Sequence, residues 1–256
     1  MAKILITKGK KEFVKELNRK ISIDKPRKYM VNDISKDFHC KEGIVSKKDL
    51  NKKDGSKIKT SLKKEFTLLT ADFSDFYRRI KRGAQIVSLK DIGLIIAETG
   101  VNQNSKIVDS GAGSGALSCL LAHICKEVTT YEIREDFIEI VKKNKESLEL
   151  KNLKIKNKDI YKGIDEKNVD VITLDLPEPW KVLTHAKKAL KAGGYLVSYS
   201  PTIPQVIDFV NSIDEHFIHL KTLELIKREW EIEGRKVRPI TTQNVHTGFL
   251  SFLRKI

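Results

Sequence analysis

Three glycines at alternate positions, Gly111, Gly113 and Gly115, interrupt the stretch VDSGAGSGALS between one apolar run and the next. Glycine accepts positive φ and lets another surface approach the backbone. The spacing therefore points either to a ligand cradle or to an unusually tight turn. Dinucleotide-binding loops read G-x-G-x-x-G, whereas here the pattern is G-x-G-x-G, with Asp109 two residues ahead of the first glycine. A carboxylate at that place repels a pyrophosphate. It suits a cationic ligand, such as the ammonium and sulfonium of S-adenosylmethionine.

Further acids follow at the ends of the next apolar runs. Glu132 closes EVTTYE, 17 residues beyond Gly115, where a carboxylate can accept both hydroxyls of a ribose. It can equally cap the helix that REDFIEI opens, and the residues alone leave those readings even. Asp159 closes LKIKNKD and is placed to accept from an adenine amino group, although Asp is also ordinary turn chemistry there. Asp175 begins DLPEPW, in which Pro177 and Pro179 impose a rigid, extended exit. An apolar strand thus delivers a carboxylate over the reactive end of a bound cofactor.

These residues need a scaffold, and the chain is long enough for one. Its 256 residues are 40% hydrophobic and contain no repeats, which indicates a globular protein of one large or two unequal domains. The N-terminal apolar run is too short for a signal peptide, and no stretch reaches membrane-spanning length, so a cytoplasmic location is expected. Cys40, Cys119 and Cys125 form no CxxC pair; free thiols and no metal site are expected. Forty-nine Lys and Arg against 34 Asp and Glu give a formal charge of +15. Abundant charge also occurs on heat-adapted surfaces, but the imbalance favours a polyanionic partner, a nucleic acid.

Residues 1–65 carry short apolar snippets (KILIT, KISI, KYMV, GIVS) between Lys, Asp, Asn and Gly, and read as a small β-rich domain. Residues 66–84 read as a connecting helix and linker, with Phe73, Phe76, Tyr77 and Ile80 at helical spacing. From 85 to 256 strands and helices alternate. Ser88 to Asp91 is a capping-box candidate opening IGLIIAET, with Gly100 as its stop. KIVDS, EVTTYEI, LKIKNKDI, VDVITLDL and YLVSYS read as parallel strands, and LKTLELIKREWEI and GFLSFLRKI as a final pair adding an antiparallel edge. The class is α/β: a mostly parallel seven-stranded sheet behind a small β-rich domain. Such sheets bind ligands at the carboxyl ends of their strands, where the glycine loop lies.

The segments DSGAGSGALS, YEIRED, KDIY, LDLPEPW and KAGGYLVSYSP occur in the order found in the TrmI family of tRNA (adenine-N1)-methyltransferases, which the chain resembles over nearly its whole length. RRIKRGAQIVSLKDIGLI and VRPITTQNVHTGFLSFLRKI resemble that family's flanking signatures, and DFHCKEGI its small N-terminal module. Asp109 stands where the family usually has Glu, and HICKEV is shorter than usual. The resemblance implies a class I, Rossmann-like methyltransferase. It implies that Gln85, Ser114, Ala116, Leu117, Glu132, Asp159 and Asp175, with the glycine loop, line the S-adenosylmethionine site. It also implies a homotetramer, and a substrate that is the T-loop adenosine at tRNA position 58, with position 57 also modified in some members.

Adenine N1 carries a lone pair and loses no proton on methylation, so no general base is required. The product is cationic, and a carboxylate that also accepts from the exocyclic amine stabilises it as it forms; Asp175 fits that part. The base must leave its stack to react, and Tyr199 and His246 are candidates to hold it, although a lone His in a loop is as often structural. Two rivals stand beside this reading. A nicotinamide-dependent oxidoreductase conflicts with the glycine spacing, and a non-catalytic tRNA-binding subunit would be expected to lack the intact loop and Asp175.

Overall fold

The computed structural model describes residues 2–83, 85–233, 235–243 and 245–256. The chain divides into two compact units, meeting between Arg78 and Arg79. The first holds strands β1 (Lys3–Thr7), β2 (Lys10–Val14), β3 (Arg19–Asp24), β4 (Arg27–Val31), β5 (Phe38–Cys40), β6 (Gly43–Val45), β7 (Lys57–Lys59) and β8 (Glu65–Thr70), with helices α1 (Lys47–Leu50) and α2 (Phe73–Tyr77). A four-stranded sheet runs β4-β1-β8-β7, and β2–β3 and β5–β6 are hairpins. Leu5, Val31, Val45, Leu50, Ile58, Phe66 and Leu68 form its core. The expected boundary after residue 65 falls instead after Arg78. EFTLLT is a strand whose alternate residues Phe66 and Leu68 are buried, the period-two sign of one covered face. Helix α2, held by a capping box between Asp72 and Asp75, also belongs to this unit rather than to a linker.

In the second unit come α3 (Leu89–Thr99), β9 (Lys106–Ser110), α4 (Ala116–Ile124), β10 (Glu127–Glu132), α5 (Glu135–Ser147), β11 (Leu153–Asn157), β12 (Val169–Leu174), α6 (Leu183–Ala189), β13 (Leu190–Ser200), α7 (Ile203–Asn211), β14 (Phe217–Glu224), β15 (Trp230–Glu233), β16 (Lys236–Pro239) and β17 (Phe249–Lys255). The seven-stranded sheet runs β11-β10-β9-β12-β13-β17-β14. Its first five strands are parallel and β17 is antiparallel to both neighbours. Val108, Ile172, Leu174, Leu196 and Leu253 lie in its core. The order reverses direction beside β9, so the β9 and β12 carboxyl ends form the switch point at which such sheets take ligands.

The tail adds the expected antiparallel pair at this margin of the sheet: β17 lies between β13 and the edge strand β14, and Leu250 to Leu253 are all buried, as an interior strand requires. LKTLELIKREWEI, however, is not one strand. β14 ends at Glu224, and WEIE pairs with KVRP in a separate ribbon, β15–β16.

Candidate active site

The glycine loop is both a tight turn and a cradle, and its members divide the work. Gly111 has φ +80°, and a Cβ there would overlap the main-chain carbonyl of Asp175. The Asp175 N–H in turn donates to the Ser110 carbonyl at 2.9 Å. Gly115 has φ +76° at the start of α4, where a Cβ would meet Val141 of α5 at 2.9 Å. The protein itself therefore forbids side chains at both. Gly113 faces open space, with nothing nearer to a built Cβ than 3.9 Å.

Gln85, Gly111, Gly113, Ser114, Ala116, Leu117 and Asp175 come together around one cavity, with Ile86, Val87, Asp109 and Ala112. Gly115 does not line it. Two of the lining residues are acids and none is Lys or Arg, which fits a cationic group and opposes a pyrophosphate. The N-terminus of α4 complements a carboxylate at the same place. An amino acid bearing a sulfonium satisfies both ends of that field, so the residues present fit S-adenosylmethionine. Asp109 is buried, and its two oxygens accept from Thr130 Oγ1 at 2.7 Å and Thr173 Oγ1 at 2.8 Å. It thereby ties β9 to β10 and β12. Burial outweighs those bonds and raises its carboxyl to about 6, with help from the Glu132 charge.

A second cavity meets the first at Gly111 and contains Glu132, Asp159 and Leu176. Glu132 accepts three backbone N–H groups: Ile133 at 2.8 Å and Arg134 at 3.0 Å on Oε1, Gly113 at 3.1 Å on Oε2. A carboxylate offers about four acceptor sites, so gripping a ribose diol requires one of these donors, the loop N–H of Gly113 being the longest, to yield. Asp159 uses Oδ1 to cap the turn at Tyr161, accepting its N–H at 2.9 Å. Its turn role thus occupies one oxygen and leaves the other to face the cavity.

Asp175 and Leu117 continue from the first cavity into a cleft with Tyr199 and Leu250. Burial and the neighbouring Asp109 charge push the Asp175 carboxyl up to about 7. The β12–β13 register pairs Leu174 with Ser198, which sets Asp175 and Tyr199 side by side. His246 is not brought there. It is exposed, and its ring nitrogens face two acceptors, Glu224 Oε1 at 2.7 Å and the Pro201 carbonyl at 3.0 Å. The Glu224 carboxylate, with the Pro201 carbonyl, raises its pKa. His246, expected as a candidate to hold the substrate base, does not line this cleft.

Sequence reading missed Asn144. It is buried in α5, accepts the Lys81 N–H at 2.7 Å, and donates to the Lys81 and Ser114 carbonyls at 2.9 and 2.8 Å. Gly83 N–H donates to Ser114 Oγ at 2.8 Å. The segment before the cavity is thus sewn to the glycine loop. The signal was a polar residue three positions after Val141 and six after Ile138, on the buried stripe of α5.

What separates this sheet from dinucleotide-binding domains is the reversed strand β17 between β13 and β14, together with the G-x-G-x-G loop after β9; the two define a Rossmann-like methyltransferase. The family model described as tRNA methyltransferase complex GCD14 subunit matches residues 77–247. A tRNA (adenine(57)-N(1)/adenine(58)-N(1))-methyltransferase, TrmI, of Methanocaldococcus jannaschii is 34% identical over 90% of this chain and 92% of its own. Among solved structures, an S-adenosylmethionine-dependent O-methyltransferase of Thermotoga maritima superposes with a TM-score of 0.80 at 29% identity, covering 99% of this chain and 92% of the other. The tRNA (m1A58) methyltransferase TrmI of Aquifex aeolicus gives 0.76 at 25% identity, covering 99% and 96%. The chain belongs to the GCD14/TrmI family of tRNA methyltransferases.

Proposed function

We propose that this chain is an S-adenosylmethionine-dependent tRNA (adenine-N1)-methyltransferase acting on the T-loop adenosine at position 58. The observation that carries the reading is Asp175, a half-buried carboxyl just past the end of β12 where a cavity lined by acids opens into the Tyr199 cleft. S-adenosylmethionine supplies an electrophilic methyl group. Gln85, Gly111, Gly113, Ser114, Ala116 and Leu117 bind it along the loop, while Glu132 takes the ribose and Asp159 the adenine amino group. Gly115 supports that loop from behind. Asp175 accepts from the exocyclic amine of the target base and offsets the positive charge that grows on it. Tyr199 walls the cleft.

Acceptor N1 needs no base to remove a proton, whereas a hydroxyl acceptor would, and Asp175 is the acid that the cavity and the cleft share. A non-catalytic RNA-binding subunit would have no use for that arrangement. The +15 charge supports the tRNA partner. Arg79, Lys81 and Arg82, exposed and without an ion pair among the described residues, stand just before the cavity and are placed to meet phosphates.

We read the assembly as a homotetramer in the cytoplasm. Exposed Trp230, Ile232 and Val237 on the β15–β16 ribbon support association between copies, and no helix among the described residues is long and apolar enough to cross a membrane. The deciding experiment incubates the protein with unmodified tRNA and labelled S-adenosylmethionine, then maps the product nucleoside. N1-methyladenosine at position 58 is expected; a 2′-O-methyl product would replace the reading.

A further inference from the structure

Ser88 was expected to cap α3, yet its side chain caps no backbone group there. Its hydroxyl donates instead to Asp91 Oδ2 at 2.9 Å. Asp91 is fully buried and also accepts from Lys90 Nζ at 2.6 Å and Thr247 Oγ1 at 2.7 Å, while Lys90 Nζ donates to Thr247 Oγ1 at 2.7 Å. An ion pair with side-chain exposures of 9% and 1% thus closes on one threonine more than 150 residues away in sequence.

That threonine holds the wall of the cleft. The Tyr199 hydroxyl donates to the Thr247 carbonyl. A Cβ on Gly248 would lie 2.5 Å from Tyr199 Cζ, so the ring lies against bare backbone. His246, one residue earlier, is pinned to Glu224 and Pro201. The Thr247 hydroxyl and carbonyl and both His246 ring nitrogens are spent on fixing the path of this segment, and its product is the position of one aromatic ring beside Asp175. A buried ion pair adds little net stability, since desolvation offsets the attraction, and is better suited to specifying one arrangement.

We propose that Lys90, Asp91 and Thr247 form a positioning latch that fixes Tyr199 as the wall of the acceptor-base cleft, and so sets the base's pose against Asp175. The inference rests on the methyltransferase reading above. None of the three need touch substrate. They act through Tyr199, where displacement by about 1 Å is enough to cost two orders of magnitude in rate.

Thr247→Val keeps the shape and removes the hydroxyl, whereas Thr247→Ser restores it. Single-turnover transfer at saturating tRNA and cofactor should fall about tenfold or more in Thr247→Val and recover to within about threefold in Thr247→Ser. S-adenosylhomocysteine affinity should stay within about twofold in both. Amide exchange in the 245–249 segment should quicken only in Thr247→Val. Lys90→Met, which keeps the side-chain stem, is the second variant and should behave as Thr247→Val does. Undiminished transfer in both variants with the hydroxyl or the ammonium removed overturns the latch, as does a loss explained by weaker cofactor binding. A wild-type protein that methylates no tRNA overturns the functional reading alone, while unchanged exchange at 245–249 in Thr247→Val still decides against the latch.

Discussion

Asp175 sits in two environments that pull its proton in opposite directions. Burial and Asp109 hold the carboxyl at about 7, whereas a cationic methyl donor and a base turning cationic favour the charged form. Transfer uses the carboxylate, so the single-turnover rate should climb with pH, through an inflection below about 7 because the bound cation favours the charged form, and level off above; a falling profile would assign the proton a direct part. Asp175→Asn should lose about 10²-fold in transfer, nearly as much as Asp175→Ala, because an amide cannot offset charge. The same site costs stability. A carboxyl raised above its ordinary 3.8 contributes fully below that value and loses the contribution as pH rises through about 7. Asp175→Asn should therefore gain in melting temperature over the wild type between pH 5 and pH 8, as scanning calorimetry can measure. Glu132→Gln retains an acceptor for the loop but not the charge for the diol, and should weaken S-adenosylhomocysteine binding by about tenfold or more in titration calorimetry.

The glycine loop permits a sharper division than its sequence suggests. Gly111→Ala forces a Cβ into the Asp175 carbonyl and should abolish soluble folded protein. Gly113→Ala meets no atom, so it should cost about 1 kcal/mol for its left-handed backbone and fold, while impairing cofactor binding; circular dichroism and calorimetry separate the two. Spacing in the sequence located this loop, and the strand ends that carry Glu132, Asp159 and Asp175, because each apolar run stops at its acid. The same reading could not place β17, since strand order is set by long-range pairing and not by local pattern. It could not tell Tyr199 from His246 either. Both were candidates by residue type alone, and only the tertiary acceptors around His246 show what its nitrogens face. The boundary at Arg78 was hidden because EFTLLT has too few turn residues around it to stand out.

The excess of positive charge belongs to no single element. If it serves tRNA, log affinity should fall linearly with log salt, and replacing Arg79, Lys81 and Arg82 together with Ala should reduce the slope by about two. Filter binding across a salt series checks this; an unchanged slope would return those side chains to simple solvation. Removing the β15–β16 ribbon's apolar side chains, as Trp230→Ser with Ile232→Ser, should shift the assembly to smaller species in light scattering while leaving the sheet's melting behaviour intact.

The place of β17 sets a timetable for synthesis. It follows every other element in chain order, yet it separates β13 from β14 and hydrogen-bonds to both. On the ribosome β13 must wait as an open, strongly apolar edge, and β14, already translated, has no neighbour to join until Phe249–Lys255 emerges. A nascent chain halted before that point carries two unsatisfied sheet margins and is a substrate for chaperones or for aggregation.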